Sequence, residues 1–136
     1  MPTNRETLAV AIQRWNDGDL DGYLSLYDGS VRLHGYSPQP MGKAEVRQFY
    51  QGIFTAFDKP KLVLHETLWD DNSCAIRFTM SGRHVAAFMG VPATGREIML
   101  PGITMLRFVG SRVIERFSQA DMLGLLVQIG GVPNPG

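Results

Sequence analysis

The last third of the chain carries the pattern that most constrains the fold, namely two strand-like stretches followed by an apolar helix. Residues 98–109 form a long, mainly apolar stretch, and residues 112–119 form a second one after the turn Gly110-Ser111. Two such stretches joined by two turn residues predict a β-hairpin. Asp121 then precedes the almost wholly apolar segment 122–130, which predicts a short helix. The hairpin therefore places one carboxylate at the start of an apolar helix.

The first half of the chain shows helical spacing instead. Thr3 and Glu6 have the spacing of a capping box, which predicts the start of a first helix. Asp19 is a predicted N-cap of a second helix. A third helix is predicted to begin near Lys43 and to end before Pro60, because the residue before a proline disfavours helical backbone angles.

Further strands are predicted from shorter apolar patterns. Residues 31–34 read as a short strand, and the period changes from helical spacing to alternation from Lys61 onward. The turn Asp71-Asn72 separates this strand from a clearer one at 74–83. In the clearer strand, apolar residues alternate with polar ones, which indicates one buried face.

Helices first and strands later predict the α+β class. We expect a strongly curved antiparallel sheet that forms a cone-shaped barrel with three N-terminal helices and a short C-terminal helix. The apolar interior of such a cone is a natural site for a small molecule. The 136 residues are expected to form one domain, with a loose tail at residues 131–136.

Composition argues against several classes of protein. Thirteen basic residues balance thirteen acidic ones, so no basic field is available to attract nucleic acid. No apolar run approaches the roughly 20 residues that span a bilayer, and the N-terminal sequence lacks the apolar stretch of a secretory signal. The single cysteine, Cys74, excludes an internal disulfide framework. We therefore expect a cytoplasmic protein with neither a nucleic-acid nor a membrane partner.

Several short motifs together resemble one family. The resemblance rests on Gly82-Arg83-His84, Phe88-Met89-Gly90, Pro92-Ala93-Thr94-Gly95-Arg96, Arg107-Phe108, Glu115-Arg116-Phe117, Asp121, Leu123-Gly124-Leu125-Leu126 and Gln128-Ile129-Gly130. In these residues the chain is similar to the SnoaL-like family of polyketide (ester) cyclases. That family has the cone-shaped fold shared by ketosteroid isomerase and nuclear transport factor two.

The resemblance implies acid–base chemistry without a cofactor or a metal. In SnoaL-like cyclases, an aspartate that matches Asp121 removes a proton from a carbon activated by neighbouring carbonyl groups. The resulting enolate closes a ring by an intramolecular aldol step. The implied partner is a small hydrophobic or polyketide-like substrate. The three scattered histidines also lack the close spacing of a helical zinc motif.

Asp121 has a second interpretation. An aspartate directly before an apolar helical run is a standard N-cap, and without the resemblance this interpretation is favoured. A catalytic base should lie deep and open to the cavity, whereas a cap should accept hydrogen bonds from backbone amides near Leu123 and Gly124. With the resemblance, we place the general base ahead of the pure cap.

The hairpin predicts which residues accompany Asp121. A two-residue turn pairs Phe108 with Val113 and, without a bulge, puts Phe117, Gln119 and Asp121 on one face. Gln119 is then a candidate donor to an enolate oxygen, with a glutamine at the rim as the alternative, and Phe117 is a candidate wall of the cavity. A bulge in the hairpin would reverse these faces.

Other substrate-binding candidates come from elsewhere in the chain. His84 is in phase with the apolar face of its strand and matches a pocket-lining position of the family, although a core histidine is the common alternative. His34 ends the first predicted strand, where related sequences place pocket residues, and an ordinary loop histidine is the alternative. The remaining candidates are large side chains that could line a cone or simply fill the core: Trp69, Phe49, Phe88 and Met105.

A different class of function stays open. The same fold also serves as a non-catalytic module that binds a hydrophobic ligand or dimerises, and isomerisation or hydrolysis of another small molecule is a further alternative. The outer face of the sheet is expected to mediate a homodimer, as is common in the family. Arg107 is expected on that outer face in an unbulged hairpin, and a bulge would reverse its direction, so its face stays open.

Overall fold

The computed structural model describes residues 2–134 and shows a five-stranded sheet with four helices. In chain order the elements are α1 (Asn4–Asn16), α2 (Leu20–Leu24), β1 (Tyr27–His34), α3 (Lys43–Ala56), β2 (Phe57–Asp70), β3 (Ser73–His84), β4 (Glu97–Val109), β5 (Arg112–Ala120) and α4 (Met122–Gln128). The predicted α+β class is confirmed, with three helices before the main strands and a short one at the end. Residues 135–136 of the expected loose tail lie outside the described residues.

The helices begin where the sequence signals place them. The Thr3 hydroxyl accepts a hydrogen bond from the Glu6 amide at 3.1 Å, and the Glu6 carboxylate accepts one from the Thr3 amide at 3.1 Å, so the capping box is present. In α3 the residues that are buried recur at helical spacing, as Val46, Tyr50 and Ile53 do. This apolar stripe holds α3 against the sheet. None of the helices within residues 2–134 is long and apolar enough to cross a membrane.

The sheet has the strand order β1-β5-β4-β3-β2 and is mixed rather than wholly antiparallel. Strands β2 to β5 pair antiparallel, in agreement with the sequence, whereas β1 pairs parallel with β5. The parallel pair is possible because a long connection through α3 and three strands separates the two elements. Alternation alone does not specify this partner, since it shows which face of a strand is buried and not which strand lies beside it.

A β-bulge in the β4–β5 hairpin decides which side chains face inward. Phe108 pairs with Val113, as the two-residue turn predicts. The register then shifts, so that Leu106 pairs with Arg116 and not with Glu115 as an unbulged hairpin would have it. One extra residue on one strand exchanges the faces of every later residue on β5. The register expected beyond the turn is therefore wrong by one residue.

The two faces of β4 differ in burial, but both carry large apolar side chains. Its side chains alternate strictly between buried and exposed from Glu97 to Val109. The buried set, which includes Leu100 and Leu106, faces the helices, while Met99 and Ile103 project from the opposite face into solvent. The sheet thus has an apolar inner face covered by helices and an outer face that also carries large apolar side chains.

The loop after β1 lies against β5 because a glycine allows a close approach. Gly35 has a φ of +98°, and a Cβ atom at this position would overlap the Ser118 carbonyl oxygen. Glycine is therefore required here both for its backbone conformation and for the space. The close contact between Gly35 and Ser118 therefore positions the backbone of the next residue, Tyr36.

We predict that Gly35→Ala destabilises the protein by at least the ~1–3 kcal/mol typical of a residue held in an unfavourable backbone region. The matched control is Gly29→Ala, because an added Cβ at Gly29 meets no atom within 4 Å and the backbone there does not have a positive φ. Urea denaturation would measure both variants. Equal stabilities of the two variants would contradict the close packing at Gly35.

Candidate active site

A cavity of about 150 Å³ lies between the inner face of the sheet and the helices. It is lined by Trp15, Tyr23, Gly35, Tyr36, Phe49, Tyr50, Ile53, Phe57, Leu62, Phe78, Met80, Phe88, Met89, Leu100, Arg116, Ser118, Gln119, Ala120, Met122 and Leu125. Most of these side chains are apolar or aromatic. A cavity of this volume holds a ligand of the size of one aromatic ring. The few polar groups therefore decide how a ligand would be oriented.

The strongest polar feature is a buried arginine on β5. Arg116 is only 8% exposed. Its Nε donates to the Ser118 hydroxyl at 2.9 Å, and one terminal nitrogen donates to the hydroxyls of Tyr23 and Tyr27 at 2.8 and 2.7 Å. The other terminal nitrogen donates to the Thr104 hydroxyl at 3.3 Å. All the acceptors are neutral hydroxyl groups, so the guanidinium is held in place without being neutralised.

All four tyrosines of the chain join this arginine in one hydrogen-bonded chain. The hydroxyls of Tyr23 and Tyr27 are 2.9 Å apart, those of Tyr27 and Tyr50 are 3.0 Å apart, and those of Tyr50 and Tyr36 are 2.6 Å apart. Burial raises the pKa of Tyr27 and of Tyr50 well above the usual value, although the Arg116 guanidinium acts in the opposite direction. These two tyrosines are therefore neutral phenols near pH 7.

Five separate parts of the chain bring this polar cluster together. Tyr23 lies on α2, Tyr27 begins β1, Tyr36 follows β1, Tyr50 lies on α3, and Arg116 lies on β5. The prediction from sequence missed the cluster because an unbulged hairpin turns Arg116 outward. The sequence contains only a weak signal for the cluster. Arg116 lies within a predicted strand, and the first half of the chain is rich in aromatic residues.

Asp121 lies at the rim of the cavity and caps α4. Its Oδ1 accepts a hydrogen bond from the Gly124 amide at 2.8 Å, and the residue is exposed. Asp121 itself is not among the lining residues, whereas its neighbours Ala120 and Met122 are. The geometry is that of a helix cap beside the cavity mouth and not that of a base buried inside the cavity. The catalytic role of Asp121 stays a prediction.

Three of the substrate-binding candidates line the cavity, namely Gln119, Phe49 and Phe88. His84 is fully buried but is not part of the lining. Its Nδ1 is 3.0 Å from the Thr94 hydroxyl, and its Nε2 has no hydrogen-bond partner among the described residues. The core histidine interpretation fits this position.

The other four candidates lie away from the cavity. Phe117 is 39% exposed on the outer face, because the hairpin bulge reverses its direction, and its ring stacks on His34 at a centroid distance of 4.5 Å. Met105 pairs with Phe117 across the hairpin and is exposed on the same face. Trp69 lies against Phe108, outside the cavity lining. The placement of these three residues, and that of the fourth candidate, His34, does not support contact with a ligand in the cavity.

His34 belongs to a separate outer-face cluster. Its Nε2 lies 3.1 Å from a Glu115 carboxylate oxygen, and Arg107 lies 3.9 Å from the other oxygen of Glu115. Arg107 lies on the outer face although the hairpin has a bulge, because the extra residue is on β5 and β4 keeps its alternation. Over residues 2–134, no group of three or more His, Cys, Asp or Glu side chains is arranged to hold a metal ion.

A curved sheet that packs against helices around an apolar cavity is the cone-shaped fold shared by ketosteroid isomerase and nuclear transport factor two. The family model for SnoaL-like polyketide cyclases matches residues 6–129. The chain belongs to this family. The family and the fold support a role as a small-molecule cyclase or isomerase.

Solved structures agree with this fold. AclR of Streptomyces galilaeus, provisionally assigned as a hydroxylase, is 24% identical with a TM-score of 0.89 and covers 98% of this chain and 84% of its own. A provisionally assigned SnoaL-like polyketide cyclase of Jannaschia sp. CCS1 is 22% identical with a TM-score of 0.83, covering 96% and 93%. IdmH of Streptomyces antibioticus, provisionally assigned as a polyketide cyclase, is 23% identical with a TM-score of 0.81, covering 95% and 99%. A search of the curated proteins finds no match.

The raised pKa values of Tyr27 and Tyr50 predict how stability changes with pH. The raised folded-state pKa of these phenols contributes stability that is fully present below about pH 10, the unfolded value, and is lost as pH rises through the folded value. Tyrosinate absorbance should therefore show Tyr27 and Tyr50 ionising late, together with unfolding. Tyr50→Phe should remove one late ionisation. Ionisation of Tyr27 and Tyr50 near pH 10 in the folded protein would contradict this prediction.

Proposed function

We propose that the protein is a cyclase that acts on a small polyketide-like substrate in this cavity, without a metal or another cofactor. The observation that carries the proposal is the division of the cavity into a mainly apolar lining and one polar wall around Arg116. The apolar part would hold the carbon skeleton of a substrate, and the polar wall would orient its oxygens. Membership of the SnoaL-like family supports the same substrate class.

The proposed chemistry is proton transfer followed by ring closure. A base removes a proton from a carbon next to a carbonyl group, and the electron pair moves to form an enolate. The enolate carbon then attacks a second carbonyl carbon of the same molecule, and the alkoxide formed takes up a proton. A cavity that holds a flexible chain with its two ends together supplies orientation, which is worth roughly 7–11 kcal/mol in favourable cases.

Asp121 is the proposed general base. Two features support the role: its neighbours on both sides line the cavity, and only one of its carboxylate oxygens is used by the cap. Across the described part of the chain, no hydrogen bond or ion pair engages Oδ2. Its exposure argues the other way, because a hydrated carboxylate is a weaker base than a desolvated one. A bound substrate that covers the cavity mouth would remove part of that hydration.

Gln119 is the proposed second group at the mouth. It lines the cavity and is itself exposed, which places it at the rim. Its amide would donate to a substrate oxygen, the role expected from the sequence. His84 is not included in the proposed machinery, since it does not reach the lining.

The test of the base is a comparison of two substitutions at Asp121. Asp121→Asn keeps the cap, because asparagine caps helices about as well as aspartate, but it removes the proton acceptor. We expect its turnover to fall roughly 10²–10⁴-fold while its stability is nearly unchanged. Asp121→Ala should lose about 0.5–2 kcal/mol of stability as well, because the Gly124 amide loses its partner.

The assay needs a diketone or polyketide mimic that the parent protein cyclises. A parent-like rate for Asp121→Asn would show that Asp121 is only a cap. A protein that binds such mimics in the cavity without turning them over would instead be the non-catalytic binding module allowed by the sequence.

We further propose a homodimer formed through the outer face of the sheet. Four exposed apolar side chains lie there on adjacent strands: Met99 at 63%, Ile103 at 58%, Met105 at 44% and Phe117 at 39% exposure. Phe117 pairs with Met105 across β4 and β5, so at least part of this set is contiguous. A contiguous exposed apolar patch marks an interaction surface more often than isolated apolar residues do.

Sedimentation should therefore show a dimer at micromolar protein concentration, and Ile103→Lys should shift it to a monomer because the charge would be buried in the interface. The matched control is Val10→Lys, a similarly exposed position on α1 at 54%. A monomeric parent, or a parent-like dimer of Ile103→Lys, would exclude this interface.

A further inference from the structure

Arg116 is a buried cation without a counter-anion. Its hydrogen-bond partners are the hydroxyls of Tyr23, Tyr27, Thr104 and Ser118. Nowhere in residues 2–134 does a carboxylate form an ion pair with it. Burial of an unpaired charge is costly unless a partner arrives, so the site favours an anion.

The tyrosine chain has one more proton than it uses. Four hydroxyl protons serve three tyrosine–tyrosine hydrogen bonds, so one proton is left over. Arg116 donates to Tyr23 and Tyr27, at one end of the chain. A cation that donates at one end orients the following hydroxyls away from itself, because hydrogen bonds in series polarise one another. The spare proton is thereby directed to the last member of the chain, Tyr36, which lines the cavity.

A second hydroxyl pair repeats this arrangement on β4 and β5. The Thr104 and Ser118 hydroxyls are 2.7 Å apart, and both accept hydrogen bonds from Arg116. The two hydroxyl groups carry two protons, and the hydrogen bond between them uses one. The other proton is again free to be donated elsewhere. Thr104 is fully buried, whereas Ser118 lines the cavity. Ser118 is therefore the member of this pair that has a cavity in which to donate.

Tyr36 and Ser118 lie close in the fold although they are far apart in sequence. The residue before Tyr36 is Gly35, which approaches the Ser118 backbone so closely that a Cβ would not fit. The Arg116 guanidinium carbon is 5.9 Å from the centre of the Tyr36 ring, which adds a cation–π contact. Two polarised hydroxyl donors thus sit at one wall of the cavity with a positive charge behind them.

We propose that this wall is an oxyanion-binding site, in which Tyr36 and Ser118 donate to one ligand oxygen and Arg116 supplies the charge. The ligand class is a small aromatic or polyketide-like molecule that carries a carboxylate or an enolate oxygen. For the enolate, the inference rests on the proposed function, since that anion arises only during turnover. For the carboxylate it stands on the geometry alone, and it is tested without turnover.

The probes are benzoate and benzamide, which have nearly the same shape but differ in charge at pH 7. Titration calorimetry would measure their binding, supported by tryptophan fluorescence, to which Trp15 in the cavity wall contributes. We expect benzoate to bind at least roughly tenfold more tightly than benzamide, as hydrogen bonds to a charged group are worth more than those to a neutral one. Equal affinities, or no binding of benzoate at its solubility limit, would overturn the proposal.

Substitutions test whether Tyr36, Ser118 and Arg116 cause the preference for benzoate. Tyr36→Phe and Ser118→Ala should each weaken benzoate binding severalfold and leave benzamide binding nearly unchanged, whereas Arg116→Met should abolish the preference for benzoate. Arg107→Met is the matched control, because it removes an exposed arginine from the outer face. Should Arg116→Met fail to fold, the two hydroxyl variants decide the question: parent-like benzoate binding in both would overturn the proposal.

The same experiment separates this inference from the proposed enzyme activity. A benzoate preference that depends on Tyr36 and Ser118 supports the oxyanion site even if Asp121→Asn keeps full turnover. Conversely, loss of turnover in Asp121→Asn together with equal binding of benzoate and benzamide would retain the base and remove the oxyanion site.

Discussion

The β-bulge between Arg107 and Phe108 is the constraint on which the site depends. Without it, β5 would present Glu115 to the interior and Arg116 to solvent. With it, a positively charged side chain enters the core, and the carboxylate joins Arg107 and His34 on the outside. A one-residue shift therefore determines the sign of the charge at the wall of the cavity.

The buried arginine in turn explains why all four tyrosines lie together. A guanidinium removed from water needs acceptors for its five N–H groups, and the structure supplies four hydroxyl oxygens from four residues. Carboxylates would satisfy the same donors and cancel the charge, which is the arrangement usual for a structural buried arginine. Hydroxyls satisfy the donors and leave the charge in place. The wall of the cavity beside Arg116 therefore carries a positive charge that no described carboxylate cancels.

The fold was largely predictable from the sequence. The polar wall of the cavity, formed by Arg116 with Tyr36 and Ser118, was not. The capping box of Thr3 and Glu6, the hairpin turn at Gly110-Ser111 and the cap at Asp121 are local signals, and all three are confirmed. The parallel pairing of β1 with β5 and the bulge depend on contacts between distant parts of the chain, which periodicity does not encode. The tyrosines converge from α2, β1, the loop after it and α3, so no sequence spacing announces them. Phe117 was misplaced for the same reason as Arg116 was missed, whereas Met105 lies on the exposed face of β4, whose alternation the bulge does not change.

The two proposed polar groups of the cavity have opposite charges and different depths, and this asymmetry bears on how a substrate would lie. Asp121 is exposed at the mouth, whereas Arg116 is buried in the wall. In proton abstraction next to a carbonyl, negative charge leaves the base and appears on the carbonyl oxygen. A substrate that enters with its carbonyl oxygen toward Arg116 and its acidic carbon toward the mouth would match that movement of charge. The opposite orientation would put the new oxyanion beside the rim carboxylate and in water, where neither the tyrosine chain nor the guanidinium stabilises it. The arrangement of charges thus favours one direction of entry, and the Asp121 carboxylate has no need to be buried for that preference to hold.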